Sequence, residues 1–157
     1  MRNISWIAVI GFALAGPTQA ATPQTWTVEL ESDAQVVITQ SVEFGEVAIE
    51  VIEGDKVVDG AFVENAQISD DDIRKAKLCA SCEESVFVNP WDSTSTFGAT
   101  TGFIIWRQDG WRITTLEWLR VGLDDLEQDG VFEIVYLPIR DSVEARFHFE
   151  DGNLVPL

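Results

Sequence analysis

The segment Asp125-Leu126-Glu127-Gln128-Asp129-Gly130-Val131-Phe132-Glu133 places acidic side chains at its first, third, fifth and ninth positions and glycine at its sixth. A hard divalent cation such as calcium needs many oxygen ligands, and glycine permits the sharp turn that gathers them. An EF-hand would end in a bidentate glutamate at position twelve, but that position is Tyr136. Its flanks, Trp118–Leu123 and Glu133–Leu137, have the look of strands rather than helices.

Other reactive residue types are few. Cys79-Ala80-Ser81-Cys82 is a C-x-x-C pair, and it follows an expected helix. Redox enzymes place such a pair at a helix N-terminus, where the dipole favours a thiolate. Haem attachment needs histidine next, where Glu83 stands, and a zinc site needs more thiols or histidines than this chain has. A local Cys79–Cys82 disulfide is the expectation, a clip that stabilises by about 2 kcal/mol at most. His148 is the sole histidine and alternates with Phe147 and Phe149, so it reads as a strand residue rather than a general base. No glycine-rich phosphate loop and no H-E-x-x-H is present. With 27 acidic residues, a carboxylate pair for hydrolysis carries no specific signal.

The elements that must position these residues are mostly strands. Trp26, Val28 and Leu30 alternate with polar residues, as do Val42 with Phe44. Val47, Ile49 and Val51 alternate with Ala48, Glu50 and Ile52. Period-two alternation marks a strand with one buried face. Gly54-Asp55, Asp109-Gly110 and Asp151-Gly152 each separate two such runs and favour two-residue hairpins. In the middle hairpin that loop would set Trp106 opposite Ile113, with Trp106 and Trp111 together on one face as core rather than as a binding strip.

One short helix is expected near 69–79. Ser69 offers a cap, Asp70-Asp71-Asp72 meet the positive end of the dipole, and Ile73, Ala76 and Ala80 form a narrow stripe. Asn89-Pro90 and Ser93–Thr101 read as a surface loop. The expected fold is therefore mainly β: antiparallel hairpins or a meander forming a small sandwich or open barrel-like sheet.

With that order of elements, the C-terminal forty residues resemble one FG-GAP or VCBS-type unit, in which a D-x-D-x-D-G-x-x-D/E loop lies between strands of extracellular proteins. The resemblance implies calcium held by Asp125, Glu127, Asp129, the Val131 carbonyl and Glu133. Glu127 stands where the family has Asp or Asn. A single copy excludes a complete propeller, which needs several.

Arg2, the apolar run Ile4–Gly16 and the small residues Thr18 and Ala20 read as a cleavable secretory signal over 1–20, followed by a single domain over 21–157. The run is too short to span a bilayer and no later segment is long enough either, so no membrane span is expected after its removal. Taking twenty residues from 157 leaves 137, and losing Arg2 moves the net charge from −17 to −18. Such a surface repels nucleic acid and anionic lipid and attracts cations or a basic partner. A hydrophobic content of 46% argues against disorder. The leading expectation is a periplasmic or secreted, non-enzymatic β-domain with a binding or scaffold role. An inhibitor of a basic secreted enzyme such as a lysozyme, anchored by Trp91 or Trp106, and a small carboxylate-dependent hydrolase are the alternatives.

Overall fold

Among the described residues, three four-stranded antiparallel sheets and one two-stranded ladder make up the architecture. The computed structural model describes residues 22–31, 33–41, 45–79, 84–92, 101–116, 121–136 and 144–157. The 1–20 leader, the Val42–Phe44 alternation, Ala80, Cys82, the 93–100 loop and Trp118 lie outside them. The N-terminal sheet is a meander of β1 (Gln24–Glu29), β2 (Ala34–Gln40), β3 (Val47–Glu53) and β4 (Lys56–Val63). A short strand β5 (Ala66–Gln67) follows. Next come β6 (Ile73–Ala76) and β7 (Ser85–Val88), then β8 (Trp91–Asp92), which pairs with β5. With β9 (Gly102–Arg107) and β10 (Trp111–Leu116), β6 and β7 form a central sheet in the order β10-β9-β7-β6. The C-terminal sheet is a second meander, β11 (Val121–Asp124), β12 (Glu133–Tyr136), β13 (Ala145–Glu150) and β14 (Asn153–Pro156).

Alternation explains the stacking. The inward residues of β2 and β3, from Val36 and Ile38 to Val47, Ile49 and Val51, pack on Val86, Val88, Phe103, Ile105 and Trp111 of the central sheet. The intervening residues Phe87, Ile104 and Trp106 point to the opposite face, where they pack on Val121, Ile134 and Phe149. The central sheet is thus covered on both faces, and its strands β7 and β9 read as near-continuous apolar runs. The result is three layers of sheet with two apolar seams.

Two expectations are corrected. The chain does turn at Ser69, whose N–H and hydroxyl both donate to Asp72 Oδ2 at 2.8 and 2.7 Å. Asp70–Asp72 then forms one 3-10 turn, held from outside by Trp26 Nε1 donating to Asp70 Oδ1 at 2.5 Å. The expected helix stops there, because Ile73–Ala76 pairs along β7. β7 is buried, and each backbone group it left unpaired would cost about 1–3 kcal/mol. Helix propensity differs between ordinary residues by only tenths of a kcal/mol, so the ladder wins.

The Asp109-Gly110 turn also differs from the expected two-residue hairpin. Trp111 pairs with Arg107 and Arg112 with Trp106, so the loop has three residues, Gln108 to Gly110. Neither Asp109 nor Gly110 adopts a positive φ, so the tight primed turn is not made. The one-residue shift moves Trp106 to the face opposite Trp111 and Ile113. There its indole N–H finds Thr114 Oγ1 at 3.0 Å, the partner a buried tryptophan requires. The other two hairpins pair as read, with Glu53 opposite Lys56 and Glu150 opposite Asn153. At the last turn Asp151 and Gly152 have φ of 48° and 82°, as two left-handed positions demand.

Candidate functional site

The 125–133 loop joins β11 to β12, which pair from Val121–Tyr136 to Asp124–Glu133. Its shape follows from where its carboxylates are spent. Asp125 accepts the N–H of Asp129 on Oδ1 at 3.1 Å and that of Gly130 on Oδ2 at 3.2 Å. Asp129 Oδ1 accepts the Val131 N–H at 2.9 Å. Glu133 is buried, and its Oε2 accepts the Leu126 N–H at 2.9 Å. Gln128 and Gly130 take positive φ, 56° and 81°, which reverses the chain within this frame. Phe132 N–H, bonded to the Lys77 carbonyl at 2.8 Å, fastens the loop to the segment after β6.

Calcium would need those same oxygens turned toward a common centre. Asp125 and Asp129 instead cap backbone donors of their own loop, while Glu127 is exposed and Glu133 is buried. No group of three or more His, Cys, Asp or Glu among the described residues is placed to hold a metal ion. Of the expected ligands Asp125, Glu127, Asp129, Val131 and Glu133, the carboxylates of Asp125, Asp129 and Glu133 thus each hold a backbone N–H of the loop. Those three side chains shape an acidic turn by taking the place of ladder acceptors.

The remaining candidates separate. His148 is half-buried opposite Val155 and borders a cavity of about 360 Å³ with Asp129, Cys79 and Glu150. Cys79 is not a free thiol, and its expected partner Cys82 lies outside the described residues. Trp91 is exposed as an anchor would be, but Trp106 and Trp111 are buried, one in each seam. A cavity of about 450 Å³ opens between the central and C-terminal sheets beside Asp72, Arg74, Asp124, Glu144 and Arg146. Glu144 Oε1 receives both Nε and Nη2 of Arg146 at 2.6 Å, and Asp72 Oδ2 receives Ser69. Two of its carboxylates are therefore engaged by neighbours, and the cavity reads as a polar seam between layers.

A different surface escaped the sequence reading. On the solvent side of the N-terminal sheet, cross-strand pairing sets Thr39, Ala48 and Phe62 in one row, Val37, Glu50 and Gly60 in the next, and Gln35, Ile52 and Val57 in a third. Phe62 is 70% exposed and Val57 57%. Val58 is the extra residue where the β3–β4 register shifts, and it is exposed as well. The signal available was local: Val57-Val58 and Ala61-Phe62-Val63 carry more apolar residues than one buried face can use. Charge is the other signal. Residues 22–67 contain ten carboxylates against Lys56 alone, a net of −9 within the chain's −17. Among the described residues no helix is long and apolar enough to cross a membrane. The chain matches no protein-family model, no curated protein and no solved structure.

Proposed function

We propose that this is an exported, non-enzymatic β-domain that binds a cationic partner protein, as an inhibitor of a basic secreted enzyme or a scaffold would. The observation that carries the reading is the outer face of the N-terminal sheet, where Phe62 and Val57 stand exposed in cross-strand rows that also carry Glu29 and Glu50. Large apolar side chains grouped on one face mark contact surfaces, and a surrounding charge of one sign steers an oppositely charged partner onto them. Export rests on the 1–20 segment, and an oxidising compartment suits a Cys79–Cys82 clip. In this reading the acidic loop is a turn that stabilises the domain through its own hydrogen bonds.

The test uses the full chain against a lysozyme as a basic probe, by surface binding at about 20 mM and about 500 mM salt, where screening lengths differ several-fold. Binding at low salt that weakens strongly at high salt is expected. No binding at low salt would remove the reading.

A further inference from the structure

We propose that a notch over Gly60 on the outer face of the N-terminal sheet receives an arginine side chain of the cationic partner, stacked on Phe62 and paired with Glu50. The proposal rests on the binding reading above and gives it a location. Glu50 lies directly opposite Gly60 and Ala48 directly opposite Phe62, so Glu50 and Phe62 are diagonal neighbours across β3 and β4. Diagonal positions stand about 7–8 Å apart, which admits one planar group between them.

Gly60 leaves that space open. A Cβ built there would meet only the Ile49 carbonyl oxygen, at 3.5 Å. The floor is held by Asp59, whose Oδ1 accepts the Gly60 N–H at 2.9 Å and whose Oδ2 accepts the Ile113 N–H of β10 at 2.8 Å. The bulge at Val58 is thereby clamped to the central sheet, and the notch is formed before any partner arrives.

Chemistry selects the occupant. Glu50 is exposed and makes no ion pair with a described residue. The cross-strand rows of this face, from Thr25, Thr27 and Glu29 across to Phe62, Gly60 and Val57, contain two carboxylates and no cation. A guanidinium lies flat on an aromatic ring while its edge donates to a carboxylate, which an ammonium does less well. Phe62 and Val57 then bury against the apolar surface around the partner's arginine.

Amide shifts of the full chain are followed while N-acetyl-arginine amide is added at millimolar concentration, with the lysine and glutamine analogues alongside. Shifts centred on Glu50, Gly60 and Phe62 are expected, weaker for lysine and lost for glutamine. Glu50→Gln, Phe62→Ala and Gly60→Val each remove exposed chemistry or fill the notch, and melting checks that each still folds. Each should weaken the arginine response by about tenfold, the equivalent of about 1.4 kcal/mol. Shifts centred elsewhere, or unchanged in all three variants, overturn the proposal. A second arm measures lysozyme binding to the same variants. Undiminished binding would keep the partner reading and overturn this surface. Arginine shifts at Gly60 without any lysozyme binding would keep the notch and remove the partner reading.

Discussion

The two outer sheets solve the same packing problem on opposite faces of the central sheet with different materials. The N-terminal sheet presents Val36, Ile38, Val47, Ile49 and Val51, all fully buried β-branched side chains at strict period two. The C-terminal sheet has shorter strands and leans on rings. Trp106 meets Phe149 edge-on at 5.3 Å, and Tyr136 meets Phe147 edge-on at 4.8 Å. Branched aliphatics stiffen a long regular ladder, whereas a few large rings cover area where strands are short, each pair adding about 0.5–1.5 kcal/mol beyond burial. The aliphatic layer is complete on its inner face, which leaves its outer face free for acidic and apolar residues that the fold itself does not need.

The largest expected effect tests whether the seams open separately. Phe149→Ala should cost about 4 kcal/mol and Ile49→Ala about 3 kcal/mol, the usual range for emptying a fully buried site. Native-state hydrogen exchange should show β12 and β13 losing protection first in the former, and β2 and β3 first in the latter. Simultaneous loss in all three sheets would break the comparison.

A matched pair of turn glycines comes next. Gly54 and Gly152 both have positive φ, but a Cβ at Gly54 meets nothing within 4 Å, whereas one at Gly152 lies 2.8 Å from Trp106 Cζ2. Gly54→Ala should cost only the left-handed penalty, about 1–2 kcal/mol. Gly152→Ala must also displace the indole and should cost about 2–4 kcal/mol, read by denaturant melts. Equal losses would mean that Trp106 yields freely.

Asp125→Ala removes the acceptor of two backbone N–H groups in an exposed loop and should cost about 1 kcal/mol. A calcium site with Kd near 10⁻⁴–10⁻³ M would raise stability by roughly 0.4–1.4 kcal/mol at about 1 mM ion. No melting shift with calcium is expected from the arrangement seen. A shift abolished by Asp129→Ala would show that the loop rearranges around the ion.

The smallest effect is alkaline. Burial raises the Tyr136 hydroxyl above its ordinary 10.0. The folded chain then holds that proton more tightly than the unfolded chain does. Its contribution is intact below about pH 10 and is lost as pH rises through the folded value. Tyr136→Phe should flatten this part of the stability–pH curve, and an unchanged slope would assign it to other groups.

Much of the N-terminal meander was legible because Val47, Ile49 and Val51 repeat at period two and Gly54-Asp55 closes their hairpin. The Asp151-Gly152 turn was legible for the same reason. Ile73–Ala76 was not, because a capped start with three acids suits a helix equally until a buried neighbour demands a partner. The Trp106 register was illegible because the loop differs by one residue and both of its faces are apolar. The acidic loop was found as a motif, but spacing alone cannot say whether an oxygen faces an ion or its own backbone.

By itself the sequence determined a β-rich chain, its alternating strands, two of its turns and the sign of its charge, since these follow from local geometry and composition. Only the tertiary structure decided that the central sheet is covered on both faces, that Ile73–Ala76 joins it as a strand, and that Phe62 and Glu50 flank an empty position at Gly60. Those outcomes depend on which distant strands claim each backbone edge and each apolar face, and no short window of sequence contains that competition.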